Sequence, residues 1–361
     1  MRRRPGASIL RLPAAAALIA AALAGAYFAF DAVIGGRCDA QCLTGLLNQT
    51  VRYAAPIALA ALAGLVCERS GVVNIGIEGM MLTGAMLAYA ANIFLFVLLK
   101  DVGVSPATAG VASRQVALAA AIAGGGALAL LHAVVSIRFR ANQIVSGTVV
   151  NILALGITGY AYRQYLSHDL PPGPGTFPPF AIPFLAGIPG LGPVFFSGQK
   201  PIACFVPVLV IAVHLVLFHT PWGLRTRAVG ENPRAAASLG VDVHRVRYVN
   251  VIAGGMVAGV GGARFTLEAV DVFSPMMTNG LGFIGLAAMI FGRWSPLGAW
   301  GGALTFGLGS AVTTAVSVFR PDIPSQLPQM LPYLLTLVVL AGFAGRAVPP
   351  AALGVPYEQE P

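Results

Sequence analysis

Long apolar runs separated by short polar stretches set the pattern of this chain. Hydrophobic windows occupy residues 12–34, 51–66, 72–99, 115–137, 142–166, 201–219, 248–270, 280–292, 297–318 and 330–346. A bilayer core of about 30 Å takes roughly 20 apolar residues as helix, and these windows meet or approach that length. None shows the alternation of polar and apolar residues that barrel strands require. The pattern predicts an all-α polytopic membrane protein of about ten transmembrane helices, some broken or re-entrant. The second and eighth windows are the short ones, suited to tilted, broken or re-entrant segments inside a protein-filled interior. The first follows Arg2, Arg3 and Arg4 and is too long for the apolar stretch of a usual secretory signal. With further spans behind it, it reads as an uncleaved helix.

Composition narrows the class. Of 361 residues, 57% are hydrophobic and 10% charged, whereas soluble domains carry about 25% charged residues. Disorder, a disulfide-stapled secreted domain and an ordinary soluble enzyme are poor fits. The net charge of +9 would suit nucleic acid only if the charges shared a soluble face. They lie between apolar runs instead, so no nucleic-acid partner is expected. With the N-terminus inside and ten crossings, the inner segments hold 14 basic residues and the outer ones 7, with Arg264 left within a span. That excess predicts cytoplasmic termini at both ends.

The remaining chemistry is sparse. Cys38 and Cys42 have CxxxC spacing in an expected external loop, which permits a disulfide without requiring one; Cys67 and Cys204 read as packing residues. His214 and His219 do not share a helical face, and His132, His168 and His244 stand apart, so no metal site is expected. GxSxG, HExxH and a close Asp/Glu pair suited to hydrolysis are all missing from the sequence.

Polar groups within spans are costly and usually face the protein interior. Glu78, between Gly76 and Gly79, suits three roles: lining a permeation path, capping a helix N-terminus, or pairing with Arg69. Arg264 and Glu268 are spaced i, i+4 and predict a local pair. Asn74, Asn142, Gln143, Asn151 and Asn250 have the chemistry either to bind a sugar hydroxyl or base edge, or to tie helices together. Phe265, Phe283 and Tyr160 are candidate stacking surfaces for a base. Gly254, Gly255, Gly259, Gly261 and Gly262 predict a close helix crossing. Asn74, Glu78, Asn151, Asn250 and Phe283 are the pathway candidates.

Two connections stand out. The outer one, 167–200, holds eight prolines and six glycines and reads as stiff and irregular. The inner one, 220–247, contains a compact helix signature: Asn232 as N-cap, Pro233 at the first helical position and Gly240 as stop. Arg234 to Leu239 makes fewer than two turns, too few to be stable alone in water, so this helix needs a partner surface.

The run Gly230, Glu231, Asn232, Pro233, Arg234, Ala235, Ala236 and, four residues on, Gly240 resembles the coupling-helix loop of ABC importer permeases. The branch concerned carries branched-chain amino acids, simple sugars and nucleosides. The stretch from Glu68 to Met81 is similar to the entry segment of nucleoside-type permeases. Phe283 to Ala288, continuing to Gly292-Arg293-Trp294-Ser295-Pro296, resembles the family's broken late helix. The resemblance covers about residues 50–345. It implies a type II importer-like fold in a bacterial inner membrane. It also implies two ATP-binding subunits, a second permease that is a different chain, and an external substrate-binding protein. The run from Gly230 to Gly240 would then be the ATPase-coupling element, with Glu231, Arg234 and Asp242 setting register.

No GxxxxGK[ST] occurs in this chain, so it has no phosphate cradle and ATP hydrolysis falls to a partner. No cofactor is expected here. The expected organisation is an N-terminal helix and external loop (1–50), a permease core (51–347) and a cytoplasmic tail (348–361). The substrate class implied is nucleosides or related small polar solutes. Simple-sugar or branched-chain amino acid import is the alternative, followed by ion-coupled secondary transport with Glu78 as relay.

Overall fold

The computed structural model describes residues 38–358 apart from 168–169, 182, 190–191, 325, 332–333 and 335–346, together with Asp31 and Gly36. The first and tenth windows fall almost wholly outside the described residues. Between them run α1 (Ala40–Glu68), α2 (Ile77–Asp101), α3 (Pro106–Ala133), α4 (Gln143–Ala161), α5 (Pro201–His219), α6 (Pro221–Glu231), α7 (Pro233–Ser238), α8 (Val243–Arg264), α9 (Leu281–Phe291) and α10 (Pro296–Phe319). Wide π-turns prolong α3 to Arg138, α4 to Leu166 and α8 to Ala269. Among the described residues there is no β-strand; a single bridge joins Phe180 to Gln199.

The helix starts follow local chemistry. Asp39, Ser105, Asn142, Thr220, Asn232, Asp242 and Ser295 each accept a hydrogen bond from a first-turn backbone N–H, and proline opens α3, α5, α6, α7 and α10. Such caps satisfy donors that no helical carbonyl can reach. Among the described residues six helices, α1 to α5 and α10, are long and apolar enough to cross a membrane. The 22-residue α8 is long as well, but Arg245, Arg247 and Asn250 in its first turns and its run of glycines hold its hydropathy down.

The second window is not broken. It lies inside α1, a continuous helix of 29 residues that passes through Pro56. Its first three turns are too polar for a hydropathy window, yet the Asp39 cap starts them. The apolar stretch of α1 is 83% buried, against α8, α9 and α10. This makes it the central post of the bundle.

Around it, α8 crosses α2 and α3 at close range. A Cβ on Gly259 would strike the Ala121 carbonyl, and one on Gly262 would strike the Met81 carbonyl. Small residues at these crossings let backbones approach where lipid offers no hydrophobic drive.

The eighth window behaves as a short segment should. At about 1.5 Å per residue, the 11 residues of α9 rise only ~16 Å, roughly half a bilayer core. The chain arrives there through 270–280, a non-helical segment that runs back alongside α2. Phe273 packs beside Tyr89 and Ile93, Met277 reaches the same cluster, and Thr278 meets Glu78.

Candidate functional site

Two ends of the bundle differ sharply. One carries residues 69–76, 220–242, 292–295 and the tail 347–358, and is called here the Arg-rich end. The other carries the proline-rich connection, where Cys38 and Cys42 are joined by a disulfide. Cys67 and Cys204 are free thiols.

At the Arg-rich end, α7 forms as its cap-and-stop signature predicts. Asn232 Oδ1 accepts from the Ala235 N–H at 3.1 Å, and Gly240 takes φ +80° to turn the chain out of the helix. Ala235 and Arg234 are exposed, and Leu239 is 85% exposed. Ala236 points the other way, buried with Val229, Val243, Val246 and Tyr357. The expected register contacts are partly internal: Glu231 accepts from the Ala351 N–H at 3.2 Å, and Asp242 caps α8 through the Arg245 N–H at 2.9 Å. The neighbouring α6 was missed by apolar periodicity, although Thr220 followed by Pro221 is a start signal.

Behind α6 and α7 lies the elbow 69–76 between α1 and α2, and it is held from every side. A Cβ on Gly230 would strike the Arg69 carbonyl, so the end of α6 rests directly on the elbow. The tail clasps both: Ala352 N–H donates to Gly230 O at 2.9 Å, and Gly354 N–H to Gly71 O at 3.1 Å. Arg247 donates to Ser70 O at 3.2 Å and to Val355 O at 3.1 Å. Arg69 donates to Trp294 O at 2.8 Å, while Trp294 Nε1 donates to the Glu68 carboxylate at 2.6 Å.

Pairing of Arg69 with Glu78, one of the three roles open to that carboxylate, is therefore replaced by this Trp294 bridge. Burial pulls the Arg69 guanidinium down from its usual range, opposed by the Glu231 carboxylate. Deeper in, Val73 N–H donates to Gln143 Oε1 at 2.7 Å, and the buried His132 ring spans Val73 O and Ser146 Oγ, each at 3.0 Å. Sequence spacing alone gives His132 no role; the packed helices supply it.

Glu78 takes the capping role. Its carboxylate accepts from Thr278 Oγ1 (2.6 Å), Gly280 N–H (2.8 Å) and Gly282 N–H (2.7 Å). It sits in the first turn of α2 and at the start of α9, so two helix N-termini converge on one negative charge, as their dipoles favour. Gly282 is obligatory here, because a Cβ would enter the Glu78 backbone and carboxylate.

Of the other pathway candidates, three act as ties. Asn151 accepts from Gly79 N–H at 2.8 Å and donates to Ile75 O at 3.0 Å. Asn250 donates to Thr226 Oγ1 and Val246 O, and Asn74 is fully buried against Cys67 and Met80. Phe283 is different: it is 46% exposed, and Met276 and Asn279 in the segment before it are exposed as well. Met276 and Asn279 hold positive φ of 62° and 45°, a conformation that costs a side-chain-bearing residue energy.

At the proline-rich end, Arg264 and Glu268 do face each other, at 4.0 Å. Glu268 also caps α5, accepting from the Ile202 and Ala203 N–H groups. Among the described residues no group of His, Cys, Asp and Glu could hold a metal ion.

The permease component family of the branched-chain amino acid transport system matches residues 46–340. The chain is 40% identical over 321 residues to the guanosine ABC transporter permease protein NupQ of Bacillus subtilis, covering 88% of this chain and 97% of that protein. It is 36% identical over 311 residues to the nucleoside ABC transporter permease protein NupC of Lactococcus lactis, covering 84% and 94% respectively. It is 25% identical over 313 residues to the guanosine ABC transporter permease protein NupP of Bacillus subtilis, covering 84% and 83%. No solved structure matches.

Proposed function

This chain belongs to the permease component family of the branched-chain amino acid transport system, and on that premise we propose that it is a nucleoside-importing permease subunit of an ABC transporter. The nucleoside assignment rests on NupQ and NupC, whose names specify guanosine and nucleosides. The permease role itself follows from the family, and ATP hydrolysis belongs to partner subunits.

The observation that carries the mechanism is the mounting of α7. A helix of six residues presents Ala235 outward, with its C-cap Leu239 beside it, and is anchored through Gly230 to the elbow that starts α2. Push on the outer face of α7, and the displacement is delivered to the segment bearing Glu78 and the α9 clasp. Gly230, Glu231, Asn232, Pro233, Arg234, Ala235, Ala236 and Gly240 divide this work: Ala235, Arg234 and Leu239 form the ATPase-facing surface, and the others build and anchor it. The Arg-rich end is then cytoplasmic, as its basic residues imply, in a bacterial inner membrane.

The solute path runs along the outward side of 274–283. Non-helical backbone at membrane depth is tolerated only against protein or a water-filled cavity, so this side faces a second permease subunit and the channel between them. Phe283, Met276 and Asn279 line it. Asn74, Asn151 and Asn250 keep the wall in shape, and Glu78 holds its corner. The second permease is a different chain; Bacillus subtilis has two distinct guanosine permeases, NupQ and NupP, and this chain shares 40% identity with one and 25% with the other.

The test is reconstitution of the whole importer in proteoliposomes with its ATPase and binding protein. ATP-dependent guanosine uptake, competed by other nucleosides but not by glucose or leucine, is the expected result. Uptake driven by an ion gradient with this chain alone would overturn the assignment, and competition by glucose or leucine instead would overturn the substrate class.

A further inference from the structure

At the proline-rich end, between the outer turns of α1, the start of α5 and the end of α8, lies a cavity of about 290 Å³. It is at the small edge of the range that organic ligands occupy, and its lining is unlike the rest of the bundle. Arg52, Lys200 and Arg264 bring three cationic side chains to it, against one carboxylate, Glu268.

That carboxylate is already committed to the Ile202 and Ala203 N–H groups, and stands 4.0 Å from Arg264, beyond hydrogen-bond reach. Lys200 is satisfied by Thr176 Oγ1 and Glu268 O. The two arginines are not. Arg52 spends Nη2 on Gly198 O, while Arg52 Nε and Arg264 Nε are buried with no hydrogen-bond partner among the described residues, and Arg264 is only 8% exposed. One acceptor is orphaned in the same wall: Gln199 Oε1, in a side chain that is fully buried.

Buried donors and acceptors without partners are rare and costly, the charged ones most of all. We propose that this cavity binds a free oxyanion carrying its own proton, of the hydrogen-phosphate class. Two anionic oxygens would accept from Arg52 Nε and Arg264 Nε, and the remaining O–H would donate to Gln199 Oε1. Chloride fills the charge deficit but gives Gln199 nothing. Sulfate, which carries no proton near neutral pH, and a phosphodiester headgroup have no O–H to donate. The solute proposed for the path above is neutral, so this site is separate from it and does not depend on that reading.

The measurement is the thermal unfolding midpoint of the purified, intact importer, titrated with phosphate, sulfate, dimethyl phosphate and chloride at matched ionic strength. Phosphate should raise the midpoint saturably, with the other three well behind. Arg52→Gln, half-buried and so tolerant of replacement, should weaken the phosphate response about tenfold, the scale of one charge-assisted hydrogen bond. Gln199→Leu should reduce the preference for phosphate over sulfate. Equal responses to phosphate and chloride would overturn the site. Equal responses to phosphate and dimethyl phosphate would overturn the free, proton-bearing anion in favour of a lipid headgroup. A wild-type phosphate response in both Arg52→Gln and Arg264→Gln would place phosphate elsewhere and also overturn it.

Discussion

Glu78 shows how much one side chain can organise. Its two oxygens serve a hydroxyl and two backbone N–H groups drawn from 278–282. Glu78→Gln keeps the shape but turns one acceptor into a donor that faces other donors. The expected cost is about 1–3 kcal/mol, read as a lower unfolding midpoint of the purified importer; an unchanged midpoint would mean that the clasp does not need the carboxylate. Ala235 and Ala236 make a second contrast at this scale. Ala235→Trp should insert into the membrane normally and lose uptake, because the new ring stands on the outward face of α7. Ala236→Trp should fail earlier, at folding, because its Cβ is buried beside Val229, Val246 and Tyr357. If Ala235→Trp transports at the wild-type rate, the coupling surface lies elsewhere.

Among the elements, α7 is the one most exposed to a small change. Six residues cannot hold a helix in water, so its cap matters more than caps on longer helices do. Asn232→Ala should cost about 1 kcal/mol, with little effect on the bundle and a larger drop in the transport obtained per ATP hydrolysed. Comparing uptake with ATPase rate in proteoliposomes measures that ratio. The crossing of α8 with α3 and α2 is the opposite case, a rigid contact. Gly259→Val would drive a branched side chain into the Ala121 carbonyl, and the expected outcome is loss of the folded peak in size-exclusion chromatography. Of these elements, α7 was readable in full, since its signals sit within nine residues. The start of α1 was not: residues 40–50 are too polar for a hydropathy window, and they are helical because Asp39 caps them and the buried stretch that follows carries the helix on.

For the molecule as a whole, the tail is the unexpected part. Residues 347–358 bind Gly230, Gly71 and Arg247 through hydrogen bonds and bury Tyr357 beside α6, α7 and α8. Truncation after residue 346 strips partners from the Gly230 and Gly71 carbonyls and uncovers Val229 and Ala236. The unfolding midpoint should fall, and with it uptake, in the assembled importer. Orientation is checked in the same preparation: a cysteine introduced as Ser238→Cys, on the exposed side of α7, should react with a membrane-impermeant reagent only from the cytoplasmic face.

What the order of amino acids determined alone was everything decided within a turn or two of chain. Apolar runs specify membrane helices because lipid leaves the backbone no other partner; Asn232, Pro233 and Gly240 specify α7 because caps and stops act on their immediate neighbours. The partners of the polar groups were decided by the tertiary structure. Glu78 meets residues 200 and 204 positions away, and Trp294 meets Glu68 across 226. Cap, relay and ion pair look alike in one dimension, because a carboxylate's role is set by which donors the packed helices bring to it.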